Sequence, residues 1–283
     1  MMETTRQFGA EKHLIGTITE PDATRGARPG VMVLLTNAGV IARSGPHRIN
    51  VQLARHFATM GLRTLRWDMS GLGDSGRPAK ALPMREQFIA DTRAAMDEAQ
   101  RLYGVSRFVM MGFCSGAEVA YYTALKDERL IGLALFDLFV YPTWKTHWLR
   151  ITRRVRRHGV FSAARRIALA VLRHVKQRRQ ETSSDAGDES HSTKPSLADF
   201  SAQLCKLEQR GTRVMLMFSG ELELHNYENQ FRDNFQRFGI VEKVDYAYLS
   251  ECDHVFTTSR AQQLLTSTVV QWIETRLGAM KPR

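Results

Sequence analysis

The stretch Arg107-Phe108-Val109-Met110-Met111-Gly112-Phe113-Cys114-Ser115-Gly116 limits what this chain can fold into more than any other. Arg107 to Met111 is an apolar run of strand length that follows the turn-like Gly104-Val105-Ser106, and Ala117 to Leu125 is a run of good helix formers. Between them lies G-x-C-x-G. A strand that turns directly into a helix brings two pieces of backbone close together, and small residues either side of the apex allow it; Gly112 and Gly116 supply them. The apex is Cys114. Its thiol is expected at the end of a sheet and at the positive end of a helix, where the dipole favours the thiolate, the reactive form. The N–H of Ser115 would point to where an oxyanion develops. A buried, inert cysteine is the alternative for such a turn. The strand–turn–helix context and a histidine far downstream favour the reactive one. Ser115 as nucleophile is the weaker choice, because it sits one place past the apex.

Around this elbow the pattern alternates. Strands are expected at His13 to Thr19, Val31 to Thr36, Leu62 to Trp67, Arg107 to Met111, Leu130 to Leu138, Arg213 to Ser219 and Val241 to Leu249. Helices are expected over the face marked by Ile49, Leu53, Phe57 and Met60, over Phe88 to Tyr103, after the elbow, and over Leu197 to Gln209, Tyr227 to Phe238 and about Ser259 to Leu277. Strand and helix in turn imply an α/β fold, a mostly parallel sheet covered on both faces. Residues 1–140 and 197–283 form the core of this reading, and 141–196 interrupts it.

The interruption carries the charge. From Lys145 to Arg179 there are twelve Lys and Arg and no Asp or Glu; the formal net charge is +11, so the rest of the chain stands at −1. Phe161, Ala164, Ala168, Val171, Leu172 and Val175 fall on one helical stripe with Arg165, Arg166 and Arg173 off it, and a mobile polar segment is expected at about 180–195. An anionic partner or membrane surface is one expectation for residues 145–179, a solvated basic cap the other. Nucleic acid is disfavoured, since no binding motif accompanies the charge.

Cys114, Cys205 and Cys252 show no metal-ligand spacing, and their odd number suits free thiols in a reducing, cytoplasmic setting, peripheral to the inner membrane face if the basic segment binds lipid. No run of about 18 apolar residues is present, and the first residues lack the apolar core of a signal peptide. No cofactor is expected: Gly71-x-Gly73 lacks the third glycine and following helix of a dinucleotide site.

Four features together resemble an α/β-hydrolase: Asn37-Ala38-Gly39 after an early strand, Asp68-x-x-Gly71-x-Gly73-Asp74-Ser75, the elbow at Cys114, and Asp253-His254 after the last strand. Within that superfamily, Gly-x-Cys-Ser-Gly-Ala and Asn-Ala-Gly…Gly45-Pro46-His47-Arg48 look most like bacterial serine-aminopeptidase-like hydrolases associated with exosortase and exopolysaccharide systems, which also place cysteine in the elbow. The resemblance implies the order nucleophile, acid, histidine. Cys114 is then the nucleophile and His254 the base. The acid comes first from Glu223, next from Glu221, and third from Asp137 at the end of the preceding strand. The N–H of Ser115 and one from the loop of Asn37, Ala38 and Gly39 would hold the oxyanion. Residues 141–196 sit where relatives carry a cap. The implied activity is hydrolysis of an acyl ester or thioester through a covalent acyl-enzyme, on a small or carrier-bound acyl substrate. The alternatives are acyl transfer at the same site and a catalytically silent, partner-binding relative.

Overall fold

The computed structural model describes residues 1–21, 26, 28, 30–153, 155 and 194–277. Eight strands form one sheet: β1 (Glu3–Phe8), β2 (Leu14–Thr19), β3 (Val31–Leu35), β4 (Arg63–Trp67), β5 (Arg107–Phe113), β6 (Leu130–Phe136), β7 (Arg213–Ser219) and β8 (Asp245–Leu249). Their order is β1-β2-β4-β3-β5-β6-β7-β8, with β2 antiparallel to both neighbours and every pair from β4 to β8 parallel. The helices are α1 (Ile49–Thr59), α2 (Met84–Tyr103), α3 (Ser115–Lys126), a helical stretch over 144–153 called α4 here, α5 (Leu197–Gln209), α6 (Gln230–Phe235) and α7 (Ser259–Leu277).

The central strands are apolar on both faces because helices cover both. Met32 and Leu34, Phe108 and Met110, Leu133 and Leu135, and Leu216 and Phe218 point into a core shared with α2, α3, α5 and α6. The intervening Val33 and Leu35, Val109 and Met111, Ala134 and Phe136, and Met215 and Met217 point into a second core with α1 and α7. This period of two, buried on each side, produces the continuous apolar runs of the sequence.

Several boundaries differ from the expected ones. Val241 to Leu249 reads as a strand throughout, yet β8 begins at Asp245. The helix expected from Tyr227 is a short α6 followed by a single 3₁₀ turn, Gln236–Phe238. β1 was not anticipated at all: Glu-Thr-Thr-Arg-Gln-Phe lies at the sheet edge with only Phe8 buried, so it has no apolar alternation to read. The helical stripe at 161–175 and most of the polar segment at about 180–195 lie outside the described residues.

The strand order reverses direction at β3. The chain leaves β3 towards β4, then crosses back to β5 on the other side. The chain therefore leaves β3 and β5 towards opposite faces of the sheet, and their carboxyl ends mark the usual ligand position in an open parallel sheet.

Candidate active site

The elbow forms at that end of the sheet. β5 ends at Phe113, α3 starts at Ser115, and Cys114 between them has φ 53° and ψ −118°. This is a sparsely populated conformation for a residue with a Cβ. Two glycines permit it: a Cβ on Gly112 would collide with the Gly116 carbonyl, and one on Gly116 with the Asn37 carbonyl and the Thr36 hydroxyl. The elbow is thus in direct backbone contact with the loop after β3.

The ends of the neighbouring strands are joined in series. Cys114 N–H donates to the Phe136 carbonyl at 2.9 Å, and Asp137 N–H to the Met217 carbonyl at 2.8 Å. Gly220 N–H is shared between the Leu249 and Cys252 carbonyls at 3.1 and 3.0 Å. Asp137 also has positive φ, 51°, as does Phe256 at 58°. Strain of this kind clusters here at one place. Beneath it Phe113, Phe136 and Phe256 pack against one another with ring centroids 4.6 to 5.9 Å apart. All three are at most 1% exposed, and they lie one, one and two residues from Cys114, Asp137 and His254.

Asp137 is the carboxylate that meets the imidazole. His254 Nδ1 lies 2.7 Å from Asp137 Oδ2, and the Asp137 side chain is fully buried. The same carboxylate accepts the Ser219 N–H at 2.7 Å and the Ser219 hydroxyl at 2.8 Å. The Cys114 thiol stands close enough to the ring for the two to shift each other. The bond to Asp137 and then the neighbouring Cys114 raise His254 to about 10, against a smaller opposing effect of burial. The nearby imidazole in turn holds the Cys114 thiol below its ordinary value, helped by the Ser115 N–H and opposed by burial. Both directions favour a thiolate–imidazolium pair. The other two thiols differ: Cys205 is half-buried on the body of α5, and burial pushes Cys252 up to about 11.

The first two expected acids are placed elsewhere, and this corrects the order given above. Glu223 is mostly exposed and pairs with Arg150 of α4 at 2.6 Å. Glu221 accepts the backbone N–H of His254 at 2.8 Å, so it supports the main chain of that residue rather than its ring. Strand register makes the difference: Asp137 stands one residue past β6, beside the end of β7, and reaches the ring from below.

The loop after β3 is held by its own network. Asn37 Oδ1 accepts the Met69 N–H at 2.8 Å, and its Nδ2 donates to the Ile41 carbonyl and to Asp68. Asp68 is fully buried and also takes the Arg43 and Asp74 N–H groups. The Asn37 side chain is therefore committed to structure. From this loop the N–H of Gly39 donates to the Ser115 hydroxyl at 2.9 Å. That contact, the role of Glu221 and the aromatic cluster were not anticipated. The one hint in the sequence is that Phe113, Phe136 and Phe256 all stand within two residues of a site residue.

Three cations of the basic segment face inward. Lys145 lies 4.5 Å from the centre of the Tyr227 ring, Arg150 pairs with Glu223, and Arg153 donates to the Asn226 carbonyl at 2.9 Å. The outward stripe of α4 is Trp144, Trp148 and Ile151, all exposed. Among the described residues no helix is long and apolar enough to cross a membrane.

A strained nucleophile elbow after the central strand, with an imidazole and a strand-end carboxylate beside it, defines a hydrolase-type α/β scaffold. The chain belongs to the α/β-hydrolase family: the family described as "alpha/beta hydrolase fold" matches residues 33–273. No match is found among curated proteins. Solved structures of similar fold include an esterase of Pyrococcus furiosus, 14% identical, with a TM-score of 0.60 over 98% of this chain and 91% of that one. A thermophilic esterase of Thermogutta terrifontis is 17% identical, with a TM-score of 0.54 over 97% and 99%. An α/β serine hydrolase homologue of Coxiella burnetii is 14% identical, with a TM-score of 0.57 over 96% and 97%. At these identities the likeness concerns the fold.

Proposed function

We propose that this protein hydrolyses carboxylic esters or thioesters through a covalent acyl-cysteine, with Cys114 as nucleophile, His254 as general base and acid, and Asp137 as the group that orients and charges the imidazole. One observation carries the reading: His254 is hydrogen-bonded to Asp137 through Nδ1 and stands close enough to Cys114 to lower its thiol. A nucleophile, a base within reach and a third group behind the base are the parts that acyl transfer needs.

In the first half-reaction the Cys114 sulfur forms a bond to the acyl carbon, and the carbonyl π electrons move to oxygen. The Ser115 N–H at the start of α3 faces that oxygen. Collapse breaks the bond to the leaving alkoxide or thiolate, which takes the proton held by His254. In the second half-reaction His254 removes a proton from water, the hydroxyl oxygen bonds to the acyl carbon, and the sulfur leaves as thiolate. The products are a carboxylic acid and an alcohol or thiol. The cysteine elbow, together with Asn37-Ala38-Gly39 and Gly45-Pro46-His47-Arg48, supports membership of the cysteine-elbow subgroup named above.

The test is intact-mass analysis after incubation with p-nitrophenyl butyrate and with the butyryl thioester of N-acetylcysteamine. An added butyryl group that maps to Cys114, forms in the wild type, disappears with time and is absent from Cys114→Ala is the expected result. A Cys114→Ala protein that turns over either substrate at the wild-type rate would end the proposal.

A further inference from the structure

Gly39 and Ser115 are 76 positions apart, yet the N–H of one donates to the side-chain oxygen of the other at 2.9 Å. Packing fixes the approach. The elbow glycines leave no room for a Cβ between α3 and the Thr36–Asn37 backbone, and Asn37 and Asp68 hold the rest of that loop. Ser115 is exposed next to Cys114, and its hydroxyl makes no second hydrogen bond among the described residues. A hydroxyl has one proton to give and two lone pairs. The Gly39 bond uses a lone pair, so the proton remains free. Accepting an N–H bond also polarises the O–H and strengthens what it donates.

This has a consequence for the oxyanion. A scaffold of this type takes one oxyanion N–H from the residue after the nucleophile and one from the loop after β3. Here one amide of that loop, the Gly39 N–H, points at the Ser115 oxygen instead. We propose that the Ser115 hydroxyl is itself a catalytic oxyanion donor, with Gly39 N–H acting through it as a positioning group. Ser115 then offers two donors to the tetrahedral oxygen: its backbone N–H, oriented by the first turn of α3, and its side-chain O–H, oriented by Gly39. The inference rests on the acyl-cysteine reading and names the second half of its oxyanion site.

The test compares wild type, Ser115→Ala and Ser115→Thr in two reactions. The first is acylation of Cys114 by p-nitrophenyl butyrate, followed by stopped-flow release of p-nitrophenol and by mass. The second is alkylation of Cys114 by iodoacetamide across pH, which needs the thiolate but forms no oxyanion. Ser115→Ala is expected to acylate about 100-fold more slowly with KM within about twofold of wild type, the pattern of a group that acts in the transition state. Its alkylation rate and pH profile stay at wild-type values, and Ser115→Thr recovers most of the acylation rate. Acylation of Ser115→Ala at the wild-type rate overturns the inference. So does a parallel loss of alkylation, which would make Ser115 a brace for the elbow. A wild type that neither p-nitrophenyl butyrate nor the butyryl thioester of N-acetylcysteamine acylates removes the acyl-cysteine reading and the inference with it, and that failure is recognised by the behaviour of the wild type alone.

Discussion

Asp137 takes the Nδ1–H of His254 at 2.7 Å from a position one residue beyond β6, while Ser219, at the end of β7, donates to the same carboxylate twice. The imidazole thus rests on two adjacent strands, and the carboxylate is fixed before the ring reaches it.

Replacing this carboxylate by an amide should tell it apart from Glu223. In Asp137→Asn the ring loses the charge that stabilises its protonated form and the partner that sets its tautomer, so kcat/KM for p-nitrophenyl butyrate should fall by about 100-fold or more. Glu223→Gln, which breaks only the mostly exposed pair with Arg150, should stay within about twofold of wild type, because such pairs contribute little. Steady-state kinetics of the two variants side by side check this. Equal losses would show that charge at this end of the sheet, not the contact with the ring, is what matters.

Cys114 and Cys252 should separate by pH. Cys114 lies below its ordinary 9.0 because of the neighbouring His254, and Cys252 is pushed up to about 11 by burial. Iodoacetamide at neutral pH should therefore label Cys114 and leave Cys252 untouched. The midpoint of the Cys114 rate profile should fall below 9.0 in wild type and move upward in His254→Ala. Peptide mapping of the alkylated protein reads both. A Cys114 profile that ignores the histidine would contradict the ion pair.

The elbow should store strain that glycine releases. At φ 53° Cys114 carries a cost of order 1–3 kcal/mol that glycine does not. Cys114→Gly should be more stable than Cys114→Ala by about 1 kcal/mol, since both remove the sulfur and only one removes the Cβ. Urea denaturation of the pair measures the difference, and an alanine variant as stable as the glycine one would deny the strain.

Much of this site is legible in the residues. The elbow, the histidine after the last strand, the parallel core and helices such as Leu197–Gln209 and Ser259–Leu277 follow from apolar period and glycine placement. The choice of acid does not. Glu221, Glu223 and Asp137 all stand near strand ends, and what separates them is the register of β6 against β7, a tertiary fact with no local signature. The same is true of Glu221, whose carboxylate is used on a backbone amide. β1 is unreadable for a different reason: an edge strand with one buried residue lacks the alternation that marks a strand.

Acid should weaken the fold through His225. It is 3% exposed, stacked on Phe218 with ring centroids 3.9 Å apart, and burial lowers it to about 4 from the ordinary 6.5. Tyr246 gives its proton to the Glu228 carbonyl, so the imidazole Nε2–H donates to Tyr246. Between pH 6.5 and 4 the unfolded chain binds a proton here that the folded chain does not, so stability falls as pH falls through this window. The loss at this one residue reaches on the order of 3 kcal/mol by the lower end. His225→Phe keeps the stacking and removes the titration, so its urea stability should vary less with pH over this range than that of wild type. Parallel curves for the two proteins would place the acid sensitivity elsewhere.

The turn from Glu221 to Tyr227 serves two masters. On one side Glu221 carries the main chain of His254; on the other Glu223, Asn226 and Tyr227 receive Arg150, Arg153 and Lys145 of α4. α4 and the backbone of His254 are thus bolted to the same short bracket. If α4 shifts, either its contacts with the bracket let go or the bracket travels with it, and in the second case the pull reaches the main chain of His254 and through it the bond to Asp137.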